Sequence, residues 1–287
     1  MSGDGNTLEE MQMKSMHIFS LLIDFLEKNN IKYIIDAGTL IGAVRHQGFI
    51  PWDDDLDISI LRPDYERLLS VRDSLPFPLQ LSYFDNDPKH VYPFLRIHDI
   101  STSVTINYIN PVTRGVWIDI FPIDGTFENV LLRKLHISTL RFVRSLLTNV
   151  TGGYVRKPLP IKLKTLYFFY EFLSQLLGKE KLIRLHYKIA TLKKTFESKI
   201  SANIVCMSGE KTSQPTLFFS QSRDFNFGHV VCKGPVKYDE YLTKIYGDYM
   251  TPPPLNQRLP SHPLGVVDLK KSFMETDPLP YNPFPEK

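Results

Sequence analysis

Cysteine is almost missing from this chain of 287 residues: Cys206 and Cys232 are the only two. Two thiols so placed build no disulfide framework and lack the spacing of a metal knuckle, so a zinc site made of cysteines is excluded. A reducing compartment is the simple reading. Long apolar runs are missing too. No stretch reaches the ~18 uninterrupted residues of a spanning helix, and the richest, Leu166 to Leu177, contains Glu171 and Gln175. No secretory leader is evident. The first apolar run, Met16 to Leu26, follows Asp4, Glu9 and Glu10, is broken by Asp24, and has no small-residue cleavage site after it. The sequence also has no internal repeat. With 43% hydrophobic and 23% charged residues it is an ordinary globular composition. The expectation is a cytoplasmic protein, soluble or peripheral on the inner face of the plasma membrane.

Acidic residues are scarce in one place. Between Val130 and Ile200 there are 15 Lys/Arg and 3 Asp/Glu, a local balance of +12, whereas the remainder carries −9 and the whole +3. Three readings compete for the cationic segment. A nucleic-acid groove would use Tyr154, Tyr167, Tyr170 and Tyr187 among the basic residues, but no nucleic-acid motif accompanies them, so no nucleic-acid partner is expected. A solvated helical face is the plain alternative. The third reading is an anionic membrane surface: Phe168, Phe169 and Phe172 lie between Lys162, Lys164, Lys179 and Lys181, as in an interfacial helix. The same apolar residues would serve equally as buried core.

Hydrophobic spacing outlines the elements. Leu8 to Asn29 predicts an amphipathic helix, with Met16, Phe19, Ile23 and Leu26 three or four apart. Lys32 to Asp36 predicts a strand. Thr39 to Gln47 predicts a helix with Thr39 as N-cap and Gly48 as stop. Asp55 to Ile60 predicts a strand and Pro63 to Ser74 a helix. Strands follow at Leu79–Phe84, Tyr92–His98, Ser103–Ile109 and Val116–Phe121. The basic segment has helical periodicity over 128–148, 161–177 and 180–200, broken at Gly152-Gly153, at Pro158 and Pro160, and at Gly178. Gly228–Val236 predicts a strand, Tyr238–Tyr246 a helix, and Pro252-Pro253-Pro254 an irregular tail. The class is α+β, a mixed sheet with flanking helices and a basic helical insert.

Trp52-Asp53-Asp54-Asp55-Leu56-Asp57-Ile58 is the sharpest feature. In a strand, residues two apart share a face, so Asp53, Asp55 and Asp57 would point one way and Leu56, Ile58 and Ile60 into the core. Carboxylates so arranged repel unless a cation offsets them, and they suit Mg²⁺ or Mn²⁺, which prefer hard oxygen ligands. A solvated acidic loop is the alternative. Upstream, Gly38-Thr39 sits where a strand turns into a helix, a place whose free N–H groups favour phosphate. Gly38, Gly42 and Arg45 fall near one side of that helix. Gly42, costly in a helix interior, implies close approach by another backbone or by a ligand. Asp119, alone in the apolar run Val116 to Phe121, is the candidate third carboxylate; an outward-facing residue or a salt bridge with Arg96 would explain it as well.

A glycine-bearing helix, a DxD strand and a third acid on a later strand resemble the nucleotidyltransferase superfamily. The run Gly38 to Asp57 strongly resembles the signature of the LicD family of phosphocholine transferases, bacterial type, which also includes fukutin and fukutin-related protein. Ile118-Asp119-Ile120-Phe121-Pro122-Ile123-Asp124-Gly125, then Tyr246-Gly247-Asp248-Tyr249-Met250 with the following prolines and His262, continue the likeness. These matches bracket most of the chain, which implies one catalytic domain over 1–287, with a core of about 1–127 and 201–287 and an insert of about 128–200.

The resemblance implies transfer of phosphocholine from CDP-choline to a sugar hydroxyl of a cell-surface glycan, a teichoic acid or lipopolysaccharide precursor, with release of CMP. It implies Asp55, Asp57 and Asp119 as catalytic and metal-binding, with Asp53 as a further ligand. Gly38, Thr39 and Arg45 would hold the donor diphosphate, and Arg258 and His262 would close over the donor, a surface histidine beside Pro263 being the alternative for His262. Trp52 would stack on a base or on choline, or serve the core beside the metal strand. Arg96 and Asp99 would line the acceptor side. The zinc-binding cysteine cluster associated with fukutin-related protein cannot form here, and no signal anchor is evident; both departures point to the bacterial type, whose acceptor is often lipid-linked. A CDP-ribitol or CDP-glycerol donor, and a non-catalytic nucleotide-binding scaffold, are the rival readings.

Overall fold

The protein is described here from a computed structural model covering residues 4–154, 164–206 and 208–277, with side chains from 7 and from 168 in the helices that open the first two stretches. The breaks expected at Pro158 and Pro160, Lys162, and the side chains of Lys164 and Tyr167 lie outside the described residues.

Helix α1 (Asp4–Lys28) buries Ile18, Phe19, Leu22 and Leu26, the face its apolar spacing defines. Strand β1 (Ile34–Ile35) leads into α2 (Ala37–His46), β2 (Asp57–Leu61) and α3 (Arg62–Ser70). Strands β3 (Leu79–Ser82), β4 (Leu95–Asp99), β5 (Ser103–Ile106), β6 (Val112–Arg114) and β7 (Trp117–Thr126) follow. Then come α4 (Val130–Thr151), α5 (Lys164–Ala190), β8 (Ile200–Ala202), β9 (Gln214–Pro215), the hairpin β10 (Ser222–Phe227) and β11 (Val230–Pro235), α6 (Tyr238–Tyr246) and β12 (Leu264–Asp268).

The principal sheet has the order β1-β2-β7-β4-β3, with β8 on the far half of β7 and β9 beyond it. Its β2–β7 pair is parallel and its other pairs are antiparallel, so the sheet is mixed as the sequence predicts. Leu56, Ile58, Ile60, Leu95, Ile97, Ile118 and Ile120 are fully buried in one core with α1. Period-two alternation then presents the residues between them to the other face. The register sets Asp57 beside Asp119, and Asp119 beside Arg96, a row across β2, β7 and β4.

The structure corrects several expectations. Helix α2 begins at Ala37 with Asp36 as its N-cap; Thr39 lies inside it, and Gln47, at φ 54°, ends it. Asp53 and Asp55 precede β2, which starts only at Asp57. The third basic helix ends at Ala190, and 200–202 form β8 instead. Gly178 does interrupt α5, at φ 73°. Five strands escaped the sequence reading, β8 and the two-residue β9 among them. β6 has three residues, too few for periodicity. β10 buries only Phe225 and Phe227. β12, in the tail expected to be irregular, is half-buried or exposed throughout.

Gly42 is explained by backbone packing. The Gly48 amide donates to the Gly42 carbonyl at 3.3 Å. A Cβ on Gly42 would stand 2.4 Å from the Gly48 oxygen and 3.2 Å from the Phe227 ring. Gly42→Ala is expected to destabilise by about 1–3 kcal/mol through overpacking, although alanine favours helices by ~1 kcal/mol. A denaturation midpoint equal to or above that of the parent protein would refute the packing account.

Candidate active site

Strand pairing assembles the acidic cluster. Asp55, Asp57 and Asp119 each bring a carboxylate oxygen within 4.8 Å of the others. All three are buried or nearly so. Asp119 is held by Arg96, whose Nε donates to Oδ1 at 2.5 Å and Nη2 to Oδ2 at 3.1 Å. Both readings of Asp119 therefore hold at once: it is salt-bridged to Arg96 and it stands in the acidic cluster. Arg96 itself is sandwiched between Tyr92, at 3.7 Å from the ring centre, and Trp117, at 4.6 Å.

Asp53 and Asp54 diverge, as neighbours in an extended chain should. Asp53 stays beside Asp55. Asp54 instead fastens the tail: it accepts the amides of Ser261 and His262, each at 3.1 Å. His262 Nδ1 lies 3.3 Å from Asp54, and its Nε2 lies 3.2 Å from Arg96 Nη2. Because a guanidinium only donates, Nε2 must accept, so the proton sits on Nδ1 and points at Asp54. His262 is thus placed between the acidic loop and Arg96, edge-on to Trp117.

The first turn of α2 abuts the carboxylates. A Cβ on Gly38 would stand 2.4 Å from Asp53 Oδ2 and 3.7 Å from Asp57 Oδ2. The positive end of the helix therefore faces these acids. The Thr39 hydroxyl is buried and accepts the Asp57 amide at 2.7 Å, which locks helix to strand. Arg45 donates to the Tyr249 carbonyl at 2.5 Å. Arg45 and Arg258 both stand over Trp52, at 6.0 and 5.1 Å from its ring centre. Neither guanidinium has a carboxylate partner among the described residues. Burial, and then Arg258, lower the Arg45 pKa.

Asp99 does not join the cluster. It accepts the Ser101 amide at 2.9 Å in a local turn. Asp124, in the second resembling run, is held by Arg62 through two bonds of 2.7 Å and anchors the sheet end to α3. Sequence reasoning missed Asp36, which caps α2 through the Ala37 amide at 2.8 Å and accepts from Ser59 and Tyr241. An aspartate just before Ala-Gly-Thr at a helix start was the available signal.

The donor set fits a hard divalent cation. Burial, and then neighbouring acids, raise Asp53 to about 7 and Asp57 well above its ordinary value. Burial raises Asp55 to about 8 against the opposing effect of His262. Asp57 has no cationic partner among the described residues. A second group, Asp54, Asp55 and His262, is also close enough. Asp54, however, is already occupied by two amides.

Carboxylates raised on folding add stability below pH ~4 and lose it as pH rises through 7 to 8. Metal-free protein is therefore expected to melt lower at pH 8.5 than at pH 6. Mg²⁺ should raise the melting temperature more at the higher pH, reflecting a stabilisation of about 2.7 kcal/mol at a hundredfold excess over Kd. Asp57→Asn should stabilise the metal-free protein at pH 8 and remove the Mg²⁺ increment; thermal unfolding that keeps the increment in Asp55→Asn and Asp57→Asn would reject this metal site.

Comparison with known proteins agrees with the geometry. The family model described as LicD/FKTN/FKRP, nucleotidyltransferase domain, matches residues 30–146. The chain is 27% identical over 273 residues to the lipopolysaccharide cholinephosphotransferase LicD of Haemophilus influenzae, covering 89% of this chain and 96% of that protein. It is 51% identical over 73 residues to an uncharacterised protein of Rickettsia prowazekii, 24% of this chain and 26% of the other. It is 40% identical over 43 residues to the human ribitol 5-phosphate transferase FKRP, 15% of this chain and 9% of that protein. The stretch that carries α2, β2, β7 and their acids is the part of the chain that matches the LicD/FKTN/FKRP nucleotidyltransferase domain.

Proposed function

We propose that the protein is a phosphotransferase that moves phosphocholine from CDP-choline to a sugar hydroxyl of a cell-surface glycan, of lipopolysaccharide or teichoic acid type, releasing CMP. The observation that carries this reading is the Asp55–Asp57–Asp119 cluster, next in the chain to a tryptophan flanked by two guanidiniums; among the described residues Asp57 has no cationic partner and neither guanidinium has a carboxylate partner. Such a site offers a place for a cation and a place for a diphosphate. Asp55, Asp57 and Asp119, with Asp53 beside them, would hold Mg²⁺ or Mn²⁺, which when bound offsets the charge of the donor phosphates. Arg45 and Arg258 hold the diphosphate. Two cations over Trp52 argue against a choline cation on that ring and for a base or phosphate there.

The acceptor oxygen attacks the choline-bearing phosphorus in line, and the bond from that phosphorus to CMP breaks. The acceptor proton passes to a carboxylate. Asp53, raised to about 7, suits this role. Both oxygens of Asp119 are already taken by Arg96, which makes it the poorer base. His262, fixed by Asp54, closes the tail over the site.

Choline rather than ribitol is favoured by the extent of similarity, 96% of the cholinephosphotransferase against 9% of the ribitol 5-phosphate transferase. The local 40% identity to the latter keeps a CDP-ribitol or CDP-glycerol donor as the second reading. Residues 128–200 are read as a helical insert in one catalytic domain. No described helix is long and apolar enough to cross a membrane. Peripheral attachment to the inner face of the plasma membrane is supported by the outer face of α5, where Phe168, Phe169, Phe172 and Leu176 are exposed, and by Leu131, Leu135 and Phe142 on α4. Lys181 and Arg184 flank this face, each worth ~1 kcal/mol near anionic lipid.

Two experiments test these readings. A donor screen with CDP-choline, CDP-ribitol and CDP-glycerol, scored by Mg²⁺-dependent CMP release, should select CDP-choline. Asp55→Ala and Asp57→Ala should each lose activity on the order of 10³-fold; substantial activity in both, or no CDP-choline binding by calorimetry, would favour a non-catalytic scaffold. Sedimentation with phosphatidylglycerol vesicles should retain the protein at low salt and release it at high salt, and absence of binding at low salt would remove the membrane partner.

A further inference from the structure

A cavity of about 410 Å³ lies along α4, lined by Arg141, Arg144, Ser145, Thr148, Tyr154 and Tyr170 among others, and no carboxylate lines it. Arg144 donates to the Val205 carbonyl and Arg141 has no carboxylate partner among the described residues. The two guanidiniums act on each other as like charges. A second cavity of about 470 Å³ shares Arg141 and adds Lys134 and Lys211; its one acid, Glu210, is 3.4 Å from Arg133. Guanidiniums stay charged at any working pH, so half-buried Arg144, with exposed Arg141 beside it, faces a cavity with no acid among the described residues. A folded protein carries this cost where an anion completes the site, and the planar forks match phosphate oxygens.

The cavity is separate from the donor arginines but communicates with the acidic cluster. Arg144 lies within electrostatic reach of Asp119. Tyr108 and Tyr92 share a hydroxyl–hydroxyl bond of 2.9 Å, and Tyr92 stacks on the Arg96 that holds Asp119. The exposed apolar face of α4 and α5 runs along the same helices.

We infer that the α4 cavity is an anion site that holds a phosphate group of the acceptor, a phosphate monoester or diphosphate carried by the glycan or its lipid anchor, while the donor occupies the Arg45–Trp52–Arg258 side. The acceptor assignment rests on the phosphotransferase reading; the anion site does not. Calorimetry with inorganic phosphate, without divalent metal, separates the two. In an Arg45→Gln/Arg258→Gln background, phosphate is expected still to bind. Adding Arg141→Gln or Arg144→Gln should weaken that binding roughly 10-fold or more, the equivalent of one charge-assisted bond. Arg141 is exposed, so its variant should fold even if Arg144→Gln does not. No phosphate binding in the background protein, or binding unchanged by Arg141→Gln, overturns the inference whatever the donor screen shows. Vesicles distinguish the source. If Arg141→Gln also releases the protein from phosphatidylglycerol, the site takes a lipid phosphate; if sedimentation is unchanged while phosphate binding falls, it takes a phosphorylated glycan.

Discussion

Mutual repulsion among buried carboxylates is the constraint on which the remaining structure turns. Asp53, Asp54, Asp55, Asp57 and Asp119 meet in a space largely removed from water. Each charge there is costly unless matched. The protein matches three of them by different means. Arg96 takes Asp119 with both oxygens. The Ser261 and His262 amides take Asp54. The start of α2 lies nearest Asp53 with its positive end. What remains, at Asp55 and Asp57, is the deficit that a divalent cation would close.

That partial matching explains the topology around the site. The parallel β2–β7 pair brings together residues 62 positions apart in sequence, and the antiparallel β4–β7 pair adds Arg96 to the same row. A one-residue slip in either register would turn Asp119 into the apolar core and an isoleucine toward the carboxylates. The fully buried Ile118 and Ile120 on either side forbid the slip. Core packing and acid placement are therefore one constraint. The tail obeys it too, since His262 reaches both Asp54 and Arg96 and ties a segment over 200 residues downstream to the acidic loop.

Much of this was legible in sequence where one physical rule acted alone. The apolar alternation Leu56, Ile58, Ile60 located β2's buried face, and the 3.6-residue spacing located α1 and α6. The mixed α+β class followed from those patterns. Rules in competition hid the rest. Thr39 and Asp36 are both good N-caps, and only the Asp57 amide, drawn from another strand, decides that Thr39 is spent inside the helix. Asp119 was readable as an ion pair or as a cluster member, and the choice dissolved because a carboxylate has lone pairs enough for both. Asp54 looked like one more acid in a run; its role as a tail clasp depends on Ser261 and His262, which no local pattern connects to it. Strands β6, β10 and β12 are short or exposed, so burial left no period to read.

The charge asymmetry of the chain then has a spatial meaning. Acidic residues are gathered where strands converge, and basic ones along α4 and α5. If the cationic segment served only solubility, its arginines should face open water singly. Arg144 instead is half-buried, spends one donor on Val205, and stands beside Arg141 in a cavity with no acid. Repulsion of that kind on the acidic side is what a cation would offset, and the same logic applied to the basic side points to the anion inferred above. Under the proposed transfer, the two deficits would each serve one partner. The Tyr108–Tyr92–Arg96 contacts link the two sides: Tyr92 hydrogen-bonds to Tyr108 and stacks on the arginine that holds Asp119.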